Sequence, residues 1–82
     1  MEYAVELKPK ALKDLDVMQP DVARRVIEKI ERLQHDLEGD VKRLTNFTPE
    51  YRLRVGDYRV LFEVEGNRII VYRIRHRREV YR

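Results

Sequence analysis

The chain has 82 residues, enough for one small domain with a single core, and we expect one domain over residues 1–82. It contains no cysteine and only two histidines, far apart in sequence, which argues against disulfides and against a cysteine or histidine metal site. No apolar run approaches the length of a membrane span, and the first residues lack signal-peptide character. We therefore expect a cytoplasmic protein that does not associate with membranes.

Charge is distributed unevenly along the chain. Residues 1–50 hold nine Lys and Arg against eleven Asp and Glu, a balance of −2, whereas residues 51–82 hold nine against four, a balance of +5. Every cation in the second segment is an arginine, whose planar guanidinium suits phosphate better than the point charge of lysine does. The second segment is therefore the expected site of phosphate binding.

The first half of the chain predicts a strand followed by two helices. Alternation over residues 3–7 indicates a short strand, and Pro9 fits the first turn of a helix that ends before Pro20 opens another. Apolar residues recur every three or four positions in the second helix, at Val22, Ala23, Val26, Ile27, Ile30, Leu33 and Leu37. Gly39 is a suitable residue to end this helix. The two helices should form a hairpin that buries its apolar stripes on a sheet.

Residues 40–50 read as a connector between the helices and the main strands. Val41 and Leu44 predict a short strand, and the following loop should place Phe47 over the edge of the core. His35 lies off the apolar stripe of the second helix, so we expect an exposed surface histidine rather than a ligand.

Residues 51–81 alternate apolar and polar side chains, as strands with one buried face do. Gly56 and Asp57 interrupt the alternation and predict a two-residue type II′ hairpin turn. The pairs that follow from this turn are Val55 with Tyr58, Leu53 with Val60, Tyr51 with Phe62, and Arg54 with Arg59. The last pair sets like charges opposite each other, which destabilises a sheet unless an anion lies between them.

A third strand follows Gly66 and Asn67. A two-residue turn there would direct Arg73 towards the core, so we expect a three-residue loop instead. The apolar residues of this strand would then be Ile70, Tyr72 and Ile74. Arg59 would face Arg73 or Arg75, and the candidate RNA and phosphate ligands beside it are Arg52, Arg54, Arg73 and Arg75.

The predicted architecture is α+β, with the order β-α-α-β-β-β and room for one further strand. The helical hairpin covers one face of a mainly antiparallel sheet, and the arginines occupy the other. The chain has no serine or cysteine nucleophile, no glycine-rich phosphate loop and no carboxylate cluster on the open face. Such a face can hold a phosphodiester and stabilise charge on it, and an RNA substrate would supply its own nucleophile, the 2′-hydroxyl.

Two segments resemble a known family. Residues 53–60, LRVGDYRV, and residues 76–81, HRREVY, are similar to the RelE/ParE superfamily of toxins from bacterial and archaeal toxin–antitoxin systems, closest to the RelE branch. The resemblance spans the whole chain and implies a microbial-RNase-like fold. It also implies a ribosome-dependent endoribonuclease that needs no metal or cofactor. Such an enzyme cuts mRNA in the A site, leaves a 2′,3′-cyclic phosphate and a 5′-hydroxyl, and so inhibits translation.

The resemblance also implies roles for individual residues. Arg59 and Arg77 would stabilise the transition-state phosphate, and Tyr81 would orient the substrate or stack on it. Arg52 and Arg54 stand where well-studied relatives have lysines, and an arginine, which stays protonated, cannot replace a lysine base. The implied partners are a cognate antitoxin that wraps the toxin, the ribosome with its mRNA, and DNA only through the antitoxin.

Two alternatives remain open on the sequence. The chain could be a ParE-like inhibitor of DNA gyrase without ribonuclease activity, because one fold hosts both functions. It could also be a basic binding domain without activity. Among side chains that titrate near neutrality, His76 is the late candidate for a base, but we expect it to be structural, hydrogen-bonded to the backbone where the last strand ends.

Overall fold

The computed structural model describes residues 2–80 and arranges them as one sheet with helices packed on it. The strands are β1 (Ala4–Leu7), β2 (Val41–Arg43), β3 (Tyr51–Val55), β4 (Tyr58–Glu65) and β5 (Arg68–His76). The helices are α1 (Pro9–Asp16), α2 (Pro20–Arg32) and the short α3 (Arg77–Val80). The sheet order is β1-β5-β4-β3-β2; β1 pairs parallel with β5 and the other neighbours pair antiparallel. The predicted α+β fold is confirmed.

The hydrophobic core lies between the helices and one face of the sheet. Both layers contribute to its buried side chains, which are Ala11, Val26, Ile30, Leu33, Leu53, Val55, Val60, Phe62, Ile69, Val71 and Ile74. Phe62 is fully buried, and its ring stacks on Tyr51 with centroids 5.5 Å apart. Since burial of apolar surface is the main force that drives folding, this face fixes which side of each strand remains for polar residues.

Helix α2 ends at Arg32 and does not extend to Leu37 as its periodicity predicts. The backbone N–H of Tyr3 donates to the carbonyl of Gln34 at 2.9 Å, which takes the acceptor that a longer helix would use. Asp36 then adopts a positive φ of 55°, a left-handed conformation that a helix cannot include. A tertiary contact with the start of the chain therefore ends the helix.

The segment after α2 differs from the sequence prediction at Gly39 as well. This glycine does not end a helix; its φ is +139°, and a Cβ built on it would lie 2.9 Å from Cδ1 of Leu53. Gly39 is therefore needed for the close approach of the backbone to the core. His35 is exposed, as predicted, and its Nδ1 lies 3.0 Å from the Glu2 carboxylate.

The β4–β5 hairpin has a two-residue turn rather than the predicted three-residue loop. Gly66 and Asn67 form the turn, because Glu65 pairs directly with Arg68. The extra residue that the alternation requires lies within β5 instead. Phe62 pairs with Val71 and Leu61 pairs with Arg73, so Tyr72 is inserted as a β-bulge.

The bulge changes which residues of β5 enter the core. Ile69 and Val71 precede it on the core face, and Ile74 follows it there. The prediction that Ile70 and Tyr72 lie on that face was therefore wrong. Ile70 is buried on the opposite face, across from Glu63. Tyr72 is half-buried, with Nζ of Lys8 5.7 Å from its ring centroid.

Asp14 attaches α1 to β5. Its carboxylate accepts hydrogen bonds from the Ile74 N–H at 2.8 Å and from Nε and Nη2 of Arg73 at 2.9 and 3.1 Å. Burial alone would raise the pKa of Asp14, but the bonds from Arg73 and Ile74 outweigh it and hold the pKa below its ordinary value. The same pairing raises the pKa of Arg73. Arg73, predicted as a phosphate ligand, is therefore bound to α1.

Acid should weaken this attachment. Because the pKa of Asp14 is lower in the folded chain, its contribution to the free energy of unfolding is present above the unfolded pKa, about 4. That contribution is lost as the pH falls through the folded value. We expect Asp14→Asn to lower the free energy of unfolding by about 1–3 kcal/mol at pH 7, and the difference from wild type to shrink near pH 2. Urea titrations at the two pH values measure both.

The control for this prediction is Asp16→Asn, which removes an exposed carboxylate from the same helix. It should change stability little at either pH. A stability loss in Asp14→Asn that stays the same at both pH values would contradict a contribution that depends on the charge.

Candidate functional site

The β3–β4 hairpin has the register that the sequence predicts. Tyr51, Leu53 and Val55 pair with Phe62, Val60 and Tyr58, and Gly56 occupies the first turn position with a φ of +56°. On the face opposite the core, Arg54 lies across from Arg59, and Arg59 lies across from Arg75 of β5. We call these three residues, together with Arg52, the arginine face. Adjacent positions on three strands thus carry guanidinium groups.

Arg59 is the central residue of the arginine face. It is only 9% exposed, and its Nη1 donates to the carbonyls of Gly56 and Tyr58, both at 2.9 Å. Within residues 2–80, no carboxylate forms an ion pair with Arg59. Two peptide carbonyls fix the direction of the guanidinium without neutralising it, so its charge remains available to an anion.

Arg54 and Arg75 flank Arg59 and differ in how they are held. The side chain of Arg54 is exposed. Arg75 is half-buried, and its Nη2 donates to the carboxylate of Glu79 in α3 at 3.1 Å. Of the two partners that the sequence left open for Arg59, Arg75 and not Arg73 lies opposite it.

Arg52 is anchored at the other side of the face. Its side chain is 15% exposed, and Nη1 lies 3.6 Å from the Asp40 carboxylate. Its Nε is buried, and no group among residues 2–80 accepts a hydrogen bond from it, so one donor of the guanidinium is unsatisfied in this part of the chain. Lys42 of β2 lies opposite Arg52 and is exposed on the same face. Lys42 was not among the predicted ligands, because residues 40–50 indicate a connector rather than a strand of the main sheet.

Arg77 begins α3 beside the β3–β4 turn. Its backbone N–H donates to the carbonyl of Asp57 at 2.7 Å, and its Nε lies 3.7 Å from Oδ1 of the same residue. The turn therefore places Arg77 near the end of the strands that carry Arg54 and Arg59. Tyr81, the third predicted catalytic residue, lies outside the described residues.

His76 packs on the core side of β5. Its ring meets Tyr58 edge-on, with centroids 5.5 Å apart, and its Nδ1 accepts the N–H of Arg78 at 3.3 Å. These contacts are the ones expected of a structural histidine at a strand end. They leave the arginine face without an imidazole.

The connector before β3 is held by contacts at its end. Oε1 of Glu63 accepts the N–H of Glu50 at 2.9 Å and so ties the end of the connector to β4. The N–H of Leu44 donates to the carbonyl of Glu50 at 2.6 Å. Phe47 is 45% exposed, so the prediction that it lies over the edge of the core was wrong.

Within residues 2–80, the arginine face offers guanidinium donors, of which Arg59 is held in a fixed direction, and no serine or cysteine nucleophile. Guanidinium groups on neighbouring strands match the non-bridging oxygens of a phosphodiester, where negative charge increases as phosphorus becomes five-coordinate. Within residues 2–80, no cluster of three or more His, Asp or Glu could hold a metal ion. No helix in that part of the chain has the length and hydrophobicity needed to cross a membrane.

Comparisons with known proteins agree on one family. A family model described as the ParE toxin of the type II toxin–antitoxin system parDE matches residues 5–81. Toxin RelE3 of Methanocaldococcus jannaschii is 36% identical over 75 residues, which cover 85% of this chain and 85% of that protein. A chain of the RelB-RelE antitoxin–toxin complex from Methanococcus jannaschii is 32% identical with a TM-score of 0.74, over 92% of this chain and 93% of that chain. A chain of the RelE-RelB complex from Pyrococcus horikoshii OT3 is 26% identical with a TM-score of 0.78, over 98% and 100%.

Proposed function

The chain belongs to the RelE/ParE superfamily of toxins of type II toxin–antitoxin systems, and we propose that it is a ribosome-dependent endoribonuclease. It cuts mRNA in the A site and thereby stops translation in the cytoplasm. The observation that carries the proposal is Arg59, a buried guanidinium held by two carbonyls, with no carboxylate partner in the described chain. Arg54 and Arg75 on either side make the position still more favourable for a phosphate.

The proposed reaction is an internal transfer at phosphorus. The 2′-oxygen of the nucleotide forms a bond to its 3′-phosphorus while the bond to the 5′-oxygen of the next nucleotide breaks. This leaves a 2′,3′-cyclic phosphate and a 5′-hydroxyl. Arg59 and Arg77 donate to the non-bridging oxygens as their charge grows, and Tyr81 orients the substrate or stacks on it. No metal ion takes part.

Proton transfer must accompany the two bond changes. The 2′-hydroxyl loses a proton and the 5′-oxygen gains one, and neither step is assigned to an arginine, because guanidinium stays protonated. His76 is bound by the Arg78 N–H and Tyr58 and is assigned to the fold. The base therefore lies outside the arginine face, on the RNA, on the ribosome or elsewhere on the toxin.

The remaining arginines of the face bind the phosphates next to the cut. We assign Arg52, Arg54 and Arg75 to this role, and assign Arg73 to the α1 contact through Asp14. Since such contacts release counterions from RNA, binding weakens steeply as salt increases.

The proposal is tested with purified toxin in a translation reaction, with 5′ ends mapped by primer extension. We expect cuts inside A-site codons of translated mRNA and no cuts in the same mRNA without ribosomes. The absence of cuts with stalled ribosomes, at toxin concentrations above those of the ribosomes, would contradict the proposal. Mass spectrometry of a short fragment identifies the cyclic phosphate.

A second function, inhibition of DNA gyrase, is favoured by one finding, the ParE description of the family model that matches residues 5–81. A supercoiling assay with the same preparation separates the two. Loss of supercoiling without cleavage of mRNA would replace the ribonuclease by a gyrase inhibitor. Activity in neither assay would leave a basic binding domain.

We also propose that a cognate antitoxin covers the arginine face. Two similar structures are antitoxin–toxin complexes, and an acidic segment laid across Arg54, Arg59 and Arg75 would relieve their mutual repulsion. Contact with DNA would come only through this partner. A structure of the complex in which these three side chains keep their free exposure would contradict direct masking.

A further inference from the structure

We propose that Asp57 is a positioning residue, which acts through Arg77, and that the β3–β4 turn orients both arginines assigned to the reaction. Three successive carbonyls, two in the turn and one at the start of β4, accept hydrogen bonds from these arginines. The carbonyls of Gly56 and Tyr58 accept from Nη1 of Arg59 at 2.9 Å each, and the carbonyl of Asp57 accepts the backbone N–H of Arg77 at 2.7 Å. A two-residue turn thus sets the relative placement of two cations that are distant in sequence.

The carboxylate of Asp57 adds a contact that the backbone cannot supply. Its Oδ1 lies 3.7 Å from Nε of Arg77. An acid on the Nε edge of the guanidinium leaves Nη1, on the other side of the group, to donate to a phosphate oxygen. The backbone hydrogen bond fixes the position of the Arg77 main chain. The carboxylate limits the directions in which the Arg77 side chain points.

Stability does not account for this ion pair. Asp57 and Arg77 are 67% and 56% exposed, and solvent screens a pair of that kind until it contributes little to the free energy of unfolding. Charge balance does not account for it either. A carboxylate beside a phosphate site repels the phosphate, so its net charge should weaken RNA binding. Orientation of Arg77 is the remaining effect that favours the reaction.

This inference rests on the proposed function and predicts a split between turnover and binding. Asp57→Asn keeps the turn and its carbonyls but removes the charge. We expect kcat for A-site cleavage to fall on the order of tenfold, within the loss that misplacement of a catalytic group causes, while KM stays unchanged or falls. A role in the fold alone would lower the melting temperature, and a role in net charge alone would raise kcat/KM.

Two comparisons isolate the contact. Glu65→Gln is the matched control, since Glu65 is a half-exposed acid 3.8 Å from Arg68 at the other hairpin turn of the same sheet. It removes the same charge without touching the site, and it should leave kcat unchanged. In an Arg77→Ala background, Asp57→Asn should cause no further loss, because the group that it orients is absent.

A measurement on the free toxin separates failure of this inference from failure of the proposed function. The Nε–H group of Arg77 gives an NMR signal whose order parameter reports its mobility on the picosecond to nanosecond scale. We expect the order parameter to fall in Asp57→Asn and to stay unchanged in Glu65→Gln. If wild-type toxin cuts no mRNA, the proposed function fails and this measurement alone decides the positioning role. An unchanged order parameter, or an Asp57→Asn loss that persists without Arg77, overturns the inference.

Discussion

Arg59→Ala should lower the rate of ribosome-dependent mRNA cleavage by about 10²–10³-fold and should change ribosome binding much less. The guanidinium of Arg59 is already oriented by the Gly56 and Tyr58 carbonyls, so its contact with phosphate strengthens mainly as charge develops in the transition state. Single-turnover cleavage on stalled ribosomes, beside a binding titration with a non-cleavable mRNA, gives the two quantities separately.

The matched control for Arg59 is Arg68→Ala. Arg68 belongs to the same sheet face but lies at the opposite end of the β4–β5 hairpin, where it is bound to Glu6 at 2.6 Å. We expect cleavage close to that of wild type. Equal losses of binding and turnover in Arg59→Ala would reduce Arg59 to an anchor for RNA. Circular dichroism melts of both variants show whether either loss comes from unfolding.

Phe62→Ala should destabilise the protein more than any surface change, by about 3–5 kcal/mol. Phe62 is fully buried at the centre of β4 and stacks on Tyr51, so the truncation removes apolar contacts and leaves a cavity beside the bulge. A domain of this size holds a total stability of roughly 5–15 kcal/mol, so the loss takes up a large part of it. Urea unfolding monitored by far-UV circular dichroism measures it.

Phe47→Ala provides the comparison for a large aromatic outside the core. Phe47 is half-exposed in the connector, and we expect a loss of no more than about 1 kcal/mol. A Phe62→Ala variant that unfolds at the same urea concentration as Phe47→Ala would show that the core is organised differently from the packing described above.

The β3–β4 hairpin could be predicted in full because its determinants are local. Gly56 at the turn fixes the register, and the apolar residues on one side fix the face, so the Arg54–Arg59 opposition follows from two neighbouring strands alone. Local sequence also explains why α1 and α2 begin at a proline as predicted, at Pro9 and Pro20.

The predictions that failed depend on contacts between distant parts of the chain. The periodicity of α2 continues to Leu37, but the contact of Tyr3 with Gln34 ends the helix at Arg32. Asp14 lies 59 positions before Arg73, and nothing near either residue indicates that they meet. The pairing of Arg59 with Arg54 could be predicted from the sequence. The burial of Arg59 and its hydrogen bonds to the Gly56 and Tyr58 carbonyls could not.

Because of the bulge at Tyr72, the β5 positions that face the core have one parity before residue 72 and the other parity after it. Before it, odd-numbered positions such as Ile69 and Val71 are restricted to apolar residues by the core, and after it the even-numbered position Ile74 is. Arg75 consequently lies on the face of Arg59 although its parity matches that of Val71. A mutational scan across β5 should therefore show the positions that require apolar residues change from odd to even numbers at Tyr72, and RNA cleavage should depend on Arg75 after the bulge.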